Sequence, residues 1–198
     1  KINNILILLI CVISIFFQSS LCFSKRSSTE ILKLAWEAST KDDLKAIDAM
    51  AEQILADHGH VDIVVNNAGR SIRRAVIESL DRFHDFERTM QLNYFGAVRL
   101  ILRLLPSMIT NKKGQIINIS SIGCLANSPR FSAYVASKAA LDAFTRCLSA
   151  EVKQYNIQTT AIYMPLVRTP MIAPTKMYDY VPTYTPDQAA NLVIRAIV

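Results

Sequence analysis

Val61-Asp62-Ile63-Val64-Val65, closed by Asn66-Asn67-Ala68-Gly69, is the stretch that decides the fold. Its β-branched residues suit a strand buried on both faces. The Asn-Asn-Ala-Gly that follows is turn chemistry. The pattern recurs in Gln115-Ile116-Ile117-Asn118-Ile119, which ends in Ser120-Ser121, and again from Thr159 to Tyr163, which stops at Pro165. The segments between these strands have helical spacing. Lys41 to His58 places Leu44, Ile47, Met50, Ala51, Ile54 and Leu55 on one face, and Gly59 ends it as a C′ residue would. A long helical stretch runs from about Asp81 to Ile109, and another from Tyr134 to Gln154. Such alternation predicts an α/β fold: a parallel sheet with helices on both faces. Ligands in these sheets sit beyond the strands' C-terminal ends. The loops of that kind are Asn66–Gly69, Ser120–Gly123 and Pro165–Thr169.

Composition excludes several classes. The chain has 198 residues, 51% of them hydrophobic and 19% charged, with mean hydropathy +0.23. That is enough apolar material for a core and too little charge for general disorder. Cysteines at 11, 22, 124 and 147 lack CxxC or zinc-ligand spacing, so neither a disulfide scaffold nor a metal site is expected. Cys124 and Cys147 read as buried small side chains. The net charge of +6 is spread along the chain rather than gathered in a stripe, so no nucleic-acid partner is expected.

The N-terminus differs from this body. Ile5 to Phe17 reads ILILLICVISIFF, and the apolar character extends loosely to Phe23. Thirteen residues at about 1.5 Å each fall short of a hydrocarbon core about 30 Å thick. Residues 1–28 therefore read as a hydrophobic leader, either a signal peptide or a membrane anchor through residues 5–23. A buried strand is the third reading, ranked behind both because the run is longer than most strands. A cleaved leader predicts the secretory pathway and an uncleaved one a membrane-associated body. A leader foreign to the working protein predicts the cytoplasm.

Tyr134-Val135-Ala136-Ser137-Lys138 carries the sharpest chemistry. On a helix, positions i and i+4 share a face. A nearby ammonium favours phenolate and lowers a tyrosine pKa, which makes the phenol a usable general acid/base. Ser121 ends a predicted strand and is placed to meet Tyr134 at one mouth of the sheet. Asn93 sits inside a helix, where a polar residue needs a partner.

Together, NNAG at Asn66–Gly69, NxxG at Asn93–Gly96, INISS at Ile117–Ser121 and YVASK at Tyr134–Lys138 resemble the short-chain dehydrogenase/reductase family in order and spacing. The resemblance implies a Rossmann-type, doubly wound parallel sheet in residues 29–198. It implies Tyr134 as proton donor to a carbonyl oxygen and Ser121 as a hydrogen-bond partner of that oxygen. Lys138 would hold the nicotinamide ribose and depress the Tyr134 pKa, and Asn93 would hold a water that relays protons. Asn66, Ala68 and Gly69 would line the cofactor together with Tyr134 and Lys138. Pro165, Val167 and Thr169 would meet the nicotinamide carboxamide. The family's usual Pro-Gly is here Pro165-Leu166, which reshapes that loop. Longer stretches, among them Arg130–Phe144 and Tyr163–Lys176, are similar to bacterial long-chain fatty acyl-CoA reductases. That implies NADP(H) ahead of NAD(H), a lipid-like substrate, no metal and a homo-oligomer. Retinoid, steroid or 3-oxoacyl reduction are the alternatives within the family.

The family's opening Gly-rich loop has no counterpart. The first glycine is Gly59. Two βα units need roughly 60 residues, and only about 35 separate the leader from Val61. The domain is thus expected to be truncated in its N-terminal half and at its C-terminus. The first residue is Lys1, not Met. A fragment or mis-joined piece of an active reductase is the favoured account. An inactive truncated relative acting as a scaffold, or a fold completed by a partner chain, are the others. Arg70, Arg73 and Arg74 read as a solvated helix start or as contacts to cofactor phosphates. The apolar stripe Phe83, Phe86, Met90, Tyr94, Ala97, Ile101, Leu104 and Met108 is assigned to core or subunit packing. His84 is assigned to the surface, and Lys112-Lys113 to a solvated turn.

Overall fold

A computed structural model describes residues 7–10 and 44–197. Four parallel strands form one sheet in sequential order: β1 (Ile7–Ile10), β2 (Ile63–Asn66), β3 (Gly114–Ser121) and β4 (Ile157–Met164). The helices are α1 (Leu44–His58), α2 (Phe83–Asn111), the short α3 (Gly123–Ala126), α4 (Ser132–Val152) and α5 (Pro186–Ala196). Right-handed crossovers between sequential parallel strands put the helices on one face. Accordingly α1, α2 and α4 share a core with that side of the sheet. It contains Ile54, Val64, Leu100, Ile101, Leu104, Met108, Ile116 and Leu148. The alternate strand residues Ile63, Val65, Ile117 and Ile119 face the other way, toward Val193, Ala196 and Ile197 at and beyond the end of α5. The expected cover on both faces is present but unequal.

Two expectations change. Ile7–Ile10, inside the apolar leader, is a strand that pairs with Ile63–Asn66 in register. The edge of β2 would otherwise present unpaired N–H and C=O groups, and an apolar tetrad is suited to close it. These four residues are strand, as the third reading has it, and the leader readings concern the run as a whole. The rest of the run to Phe23, and the boundary at residues 28 and 29, lie outside the described residues. The second change is in α2, which contains a π-helical segment at Gln91–Gly96. Widening the turn rotates the apolar stripe, so Ile101, Leu104 and Met108 reach the core while Phe83 is 70% exposed. By length and composition α2 is apolar enough to cross a membrane, yet this half of it is core.

Smaller corrections follow from the packing. Cys147 is exposed and Cys124 only partly buried. Lys113 is not simply solvated, since its Nζ lies 2.8 Å from the buried Asp62 carboxylate. Gly59 ends α1 at φ +80°, where glycine has no Cβ penalty.

Candidate active site

Side chains gather where β2, β3 and β4 end. Ile122 N–H donates to Met164 O at 3.1 Å, which joins the exits of β3 and β4. Tyr134 stands in the first turn of α4, within electrostatic reach of Ser121 at the end of β3. Burial pushes the phenol above its ordinary value of 10.0, and the Ser121 hydroxyl opposes that rise. The expected depression by Lys138 is absent. Lys138 is 3% exposed, and its Nζ donates to Ile119 O at 2.7 Å. Burial lowers its pKa to about 8. Among the described residues no carboxylate pairs with it. A buried lysine of lowered pKa in such surroundings is a mark of a functional site.

Gly69 is buried against these groups. A Cβ there would lie 3.4 Å from Lys138 Nζ and 3.6 Å from Asn93 Oδ1. Glycine thus leaves room for a single carbon beside an ammonium that has no counter-charge among the described residues. A hydrogen-bond donor kept clear of a Cβ suits the ribose hydroxyls of a nicotinamide nucleotide. The fit is to that end of the cofactor.

Asn93 is delivered by the π segment and is 1% exposed. Its Nδ2 donates to Arg70 O and to Ser137 Oγ, both at 2.9 Å, and its Oδ1 accepts from Arg70 N–H at 2.7 Å. Both amide hydrogens are committed to protein groups. Ser137 Oγ in turn donates to Tyr134 O at 2.7 Å. Asn93 therefore ties the loop after β2 to the turn that holds Tyr134.

Asn66 does not line an open site. Its Nδ2 donates to Asn118 Oδ1 at 2.7 Å across the sheet, and Asn118 Nδ2 donates to Thr145 Oγ1 of α4 at 2.8 Å. Ala68 packs against the core. Pro165, Val167 and Thr169 lie just beyond β4. There a returning segment bridges Val167 to Tyr184, and Tyr184 N–H donates to Leu166 O at 2.8 Å. The Leu166 that departs from the family pattern thus anchors that segment through its carbonyl.

Sequence reasoning missed Ser137, Asn118 and Thr145. Asn118 has a signal: it interrupts an apolar strand. Thr145 lies seven positions after Lys138, on the same helix face. The arginine cluster is not a helix start. Arg74 Nε pairs with the buried Asp85 at 3.1 Å, Asp85 also takes Arg82 at 3.2 Å, and His84 remains a half-exposed neighbour of this cluster.

The model of the family described as short chain dehydrogenase matches residues 25–178. The chain is 73% identical over 156 residues to a fatty acyl-CoA reductase of Acinetobacter baylyi, covering 79% of this chain and 53% of the relative. It is 50% identical over 155 residues to a fatty acyl-CoA reductase of Mycobacterium tuberculosis, covering 78% and 53%. The chain thus spans about half the length of these relatives. Among solved structures, a short-chain dehydrogenase from Streptomyces avermitilis matches with TM-score 0.69 and 32% identity, covering 79% of this chain and 63% of that one. An NAD+-bound xylitol dehydrogenase matches with TM-score 0.61 and 27% identity, covering 66% and 50%. The motifs, the sheet and the residues gathered at its end agree with these likenesses: the chain belongs to the short-chain dehydrogenase family.

Proposed function

We propose that this chain carries the catalytic end of an NADPH-dependent reductase that converts a fatty acyl-CoA to a fatty aldehyde and free CoA. The observation that carries the reading is the buried Lys138 under Gly69, which no carboxylate among the described residues pairs with, and Tyr134 and Ser121 at the same end of the sheet. The substrate class follows the activity named for the Acinetobacter and Mycobacterium relatives. NADPH is placed ahead of NADH on the sequence resemblance.

A reduced nicotinamide bound beside Lys138 supplies the hydride. Ser121 orients the carbonyl oxygen, and Tyr134 donates its phenolic proton to that oxygen. A phenol held above its ordinary pKa stays protonated at neutral pH, which suits a donor. Lys138 binds the ribose hydroxyls, and the Ser121 hydroxyl, which opposes the rise in the Tyr134 pKa, steadies the phenolate left on Tyr134. The new hydroxyl returns its proton to Tyr134 as the carbon–sulfur bond breaks. The departing thiolate takes up one proton and leaves as CoA. The net uptake is one hydride and one proton, and the thioester carbon gains two electrons.

Titrating the chain with NADPH and NADH, followed by acyl-CoA turnover of wild type and Tyr134→Phe, tests the reading. Saturable binding and loss of turnover in Tyr134→Phe support it, and retained turnover sinks the assignment. The second reading is a non-catalytic scaffold. That reading predicts a folded chain that binds neither dinucleotide.

A further inference from the structure

Arg130 adopts φ +68°, a left-handed conformation that a non-glycine residue rarely takes. It follows Pro129 and stands immediately before Phe131 and α4, whose first turn carries Tyr134. Three contacts hold it there. Arg74 N–H donates to Arg130 O at 2.7 Å. Arg130 Nη2 bridges both Glu78 carboxylate oxygens, each at 2.9 Å. Arg74 itself is fixed by Asp85, a carboxylate that is 5% exposed and also takes Arg82.

The pair of Glu78 and Arg130 is half-exposed, at 47% and 41%. As an isolated surface ion pair it would contribute little. Its position gives it a larger task. The strained turn determines where α4 begins, and the first helical hydrogen bond runs from Val135 N–H to Phe131 O at 2.8 Å. Phe131 stacks on Tyr178 of the segment returning after β4, with ring centroids 6.5 Å apart and planes 21° from parallel. Strained backbone persists only where its surroundings over-determine it.

We propose that Arg130 is a positioning residue: Glu78 and Arg74 hold its left-handed turn, and that turn sets Tyr134 and the Phe131–Tyr178 wall over the site. The turn, not the charge, is what the site requires. The rate consequence rests on the reductase reading, whereas the placement of Tyr134 does not.

The test uses the full chain labelled with 13Cζ-tyrosine, with the Tyr134 signal assigned by Tyr134→Phe and titrated without any cofactor. Arg130→Ala removes the ion pair and keeps the steric penalty at φ +68°. Arg130→Gly removes the ion pair and takes the turn freely. The expected result is a Tyr134 midpoint that falls toward the ordinary value of 10.0 in Arg130→Ala and stays closer to wild type in Arg130→Gly. Glu78→Gln is expected to act like a mild Arg130→Ala, and adding Arg130→Gly to it is expected to restore the midpoint. Equal midpoints in Ala and Gly variants, or no change in either, overturn the proposal. If Arg130→Ala fails to fold, the Glu78→Gln pair of variants decides the matter by the same rule. Turnover measured alongside separates the two readings, because an inactive wild type counts against the reductase and leaves the titration intact.

Discussion

The exits of β2 and β1 stand beside each other in the sheet, paired through Asn66 and Ile10, yet they are written in different chemistry. After β2 come Asn66-Asn67-Ala68-Gly69, and the glycine lies against Lys138. After β1 come Cys11-Val12-Ile13-Ser14-Ile15-Phe16-Phe17, with no glycine before residue 59. The two ends of a dinucleotide ask for different things. The nicotinamide end needs a few side chains held in place by buried hydrogen bonds. The pyrophosphate end needs backbone amides cleared of Cβ atoms. The β2 exit offers provisions of the first kind, with Gly69 against the buried Lys138. Variants at the β2 end test catalytic geometry and cofactor grip apart from each other.

The largest expected effect is on rate alone. Tyr134→Phe keeps the ring and removes the proton, so kcat should fall about 10²–10⁴-fold. NADPH affinity, measured by fluorescence of the reduced nicotinamide, should hardly change. A parallel loss of affinity would show that the two properties are not separable. Lys138→Met should do the reverse and remove cofactor binding. It should also alter stability. The folded pKa of Lys138 is lowered from 10.5 to about 8 by burial, so between those values the unfolded chain binds the extra proton. Stability then rises with pH across that window, and below it the full cost of the buried charge, about 3 kcal/mol, is present. Urea midpoints should climb from pH 8 to 10 in wild type and run flatter in Lys138→Met.

These side chains were legible in the sequence because they are chemically unusual where they stand. A Tyr and a Lys one helical turn apart, and a Ser at a strand end, announce themselves. The sheet was legible from β-branched runs closed by turn residues. The details that were not legible depend on backbone geometry between elements. Nothing in Gln91–Gly96 marks a π turn, yet that turn buries both Leu92 and Asn93. Asn66 looks like a cofactor contact until the register places it opposite Asn118. Ile7–Ile10 has the composition of a leader, and pairing with β2 makes it a strand. Burial, which raises the Tyr134 pKa, comes from packing around α4 that the YVASK stretch does not spell out.

Asn93→Ala should have a smaller effect, mainly on stability. It strips partners from Arg70 N–H, Arg70 O and Ser137 Oγ at once. At about 1–3 kcal/mol for a buried group left unsatisfied, with relaxation recovering part, a loss of roughly 2–4 kcal/mol is expected in urea titrations. A loss near zero would mean that the loop after β2 is not held by Asn93.

The smallest stability effect separates packing from grip most cleanly. A Cβ at Gly114 would meet Met108 Sδ at 2.7 Å inside the core, whereas one at Gly69 meets nothing closer than Lys138 Nζ at 3.4 Å. Gly114→Ala should therefore cost about 1–3 kcal/mol through overpacking and leave cofactor affinity alone. Gly69→Ala should stay within about 0.5 kcal/mol of wild type, as substitutions without a clash do. Its methyl group nevertheless occupies the gap beside the ammonium, so NADPH should bind more weakly. Unchanged affinity in Gly69→Ala would mean that the ribose does not approach Lys138 from the β2 exit, and the assignment of that gap would fall with it.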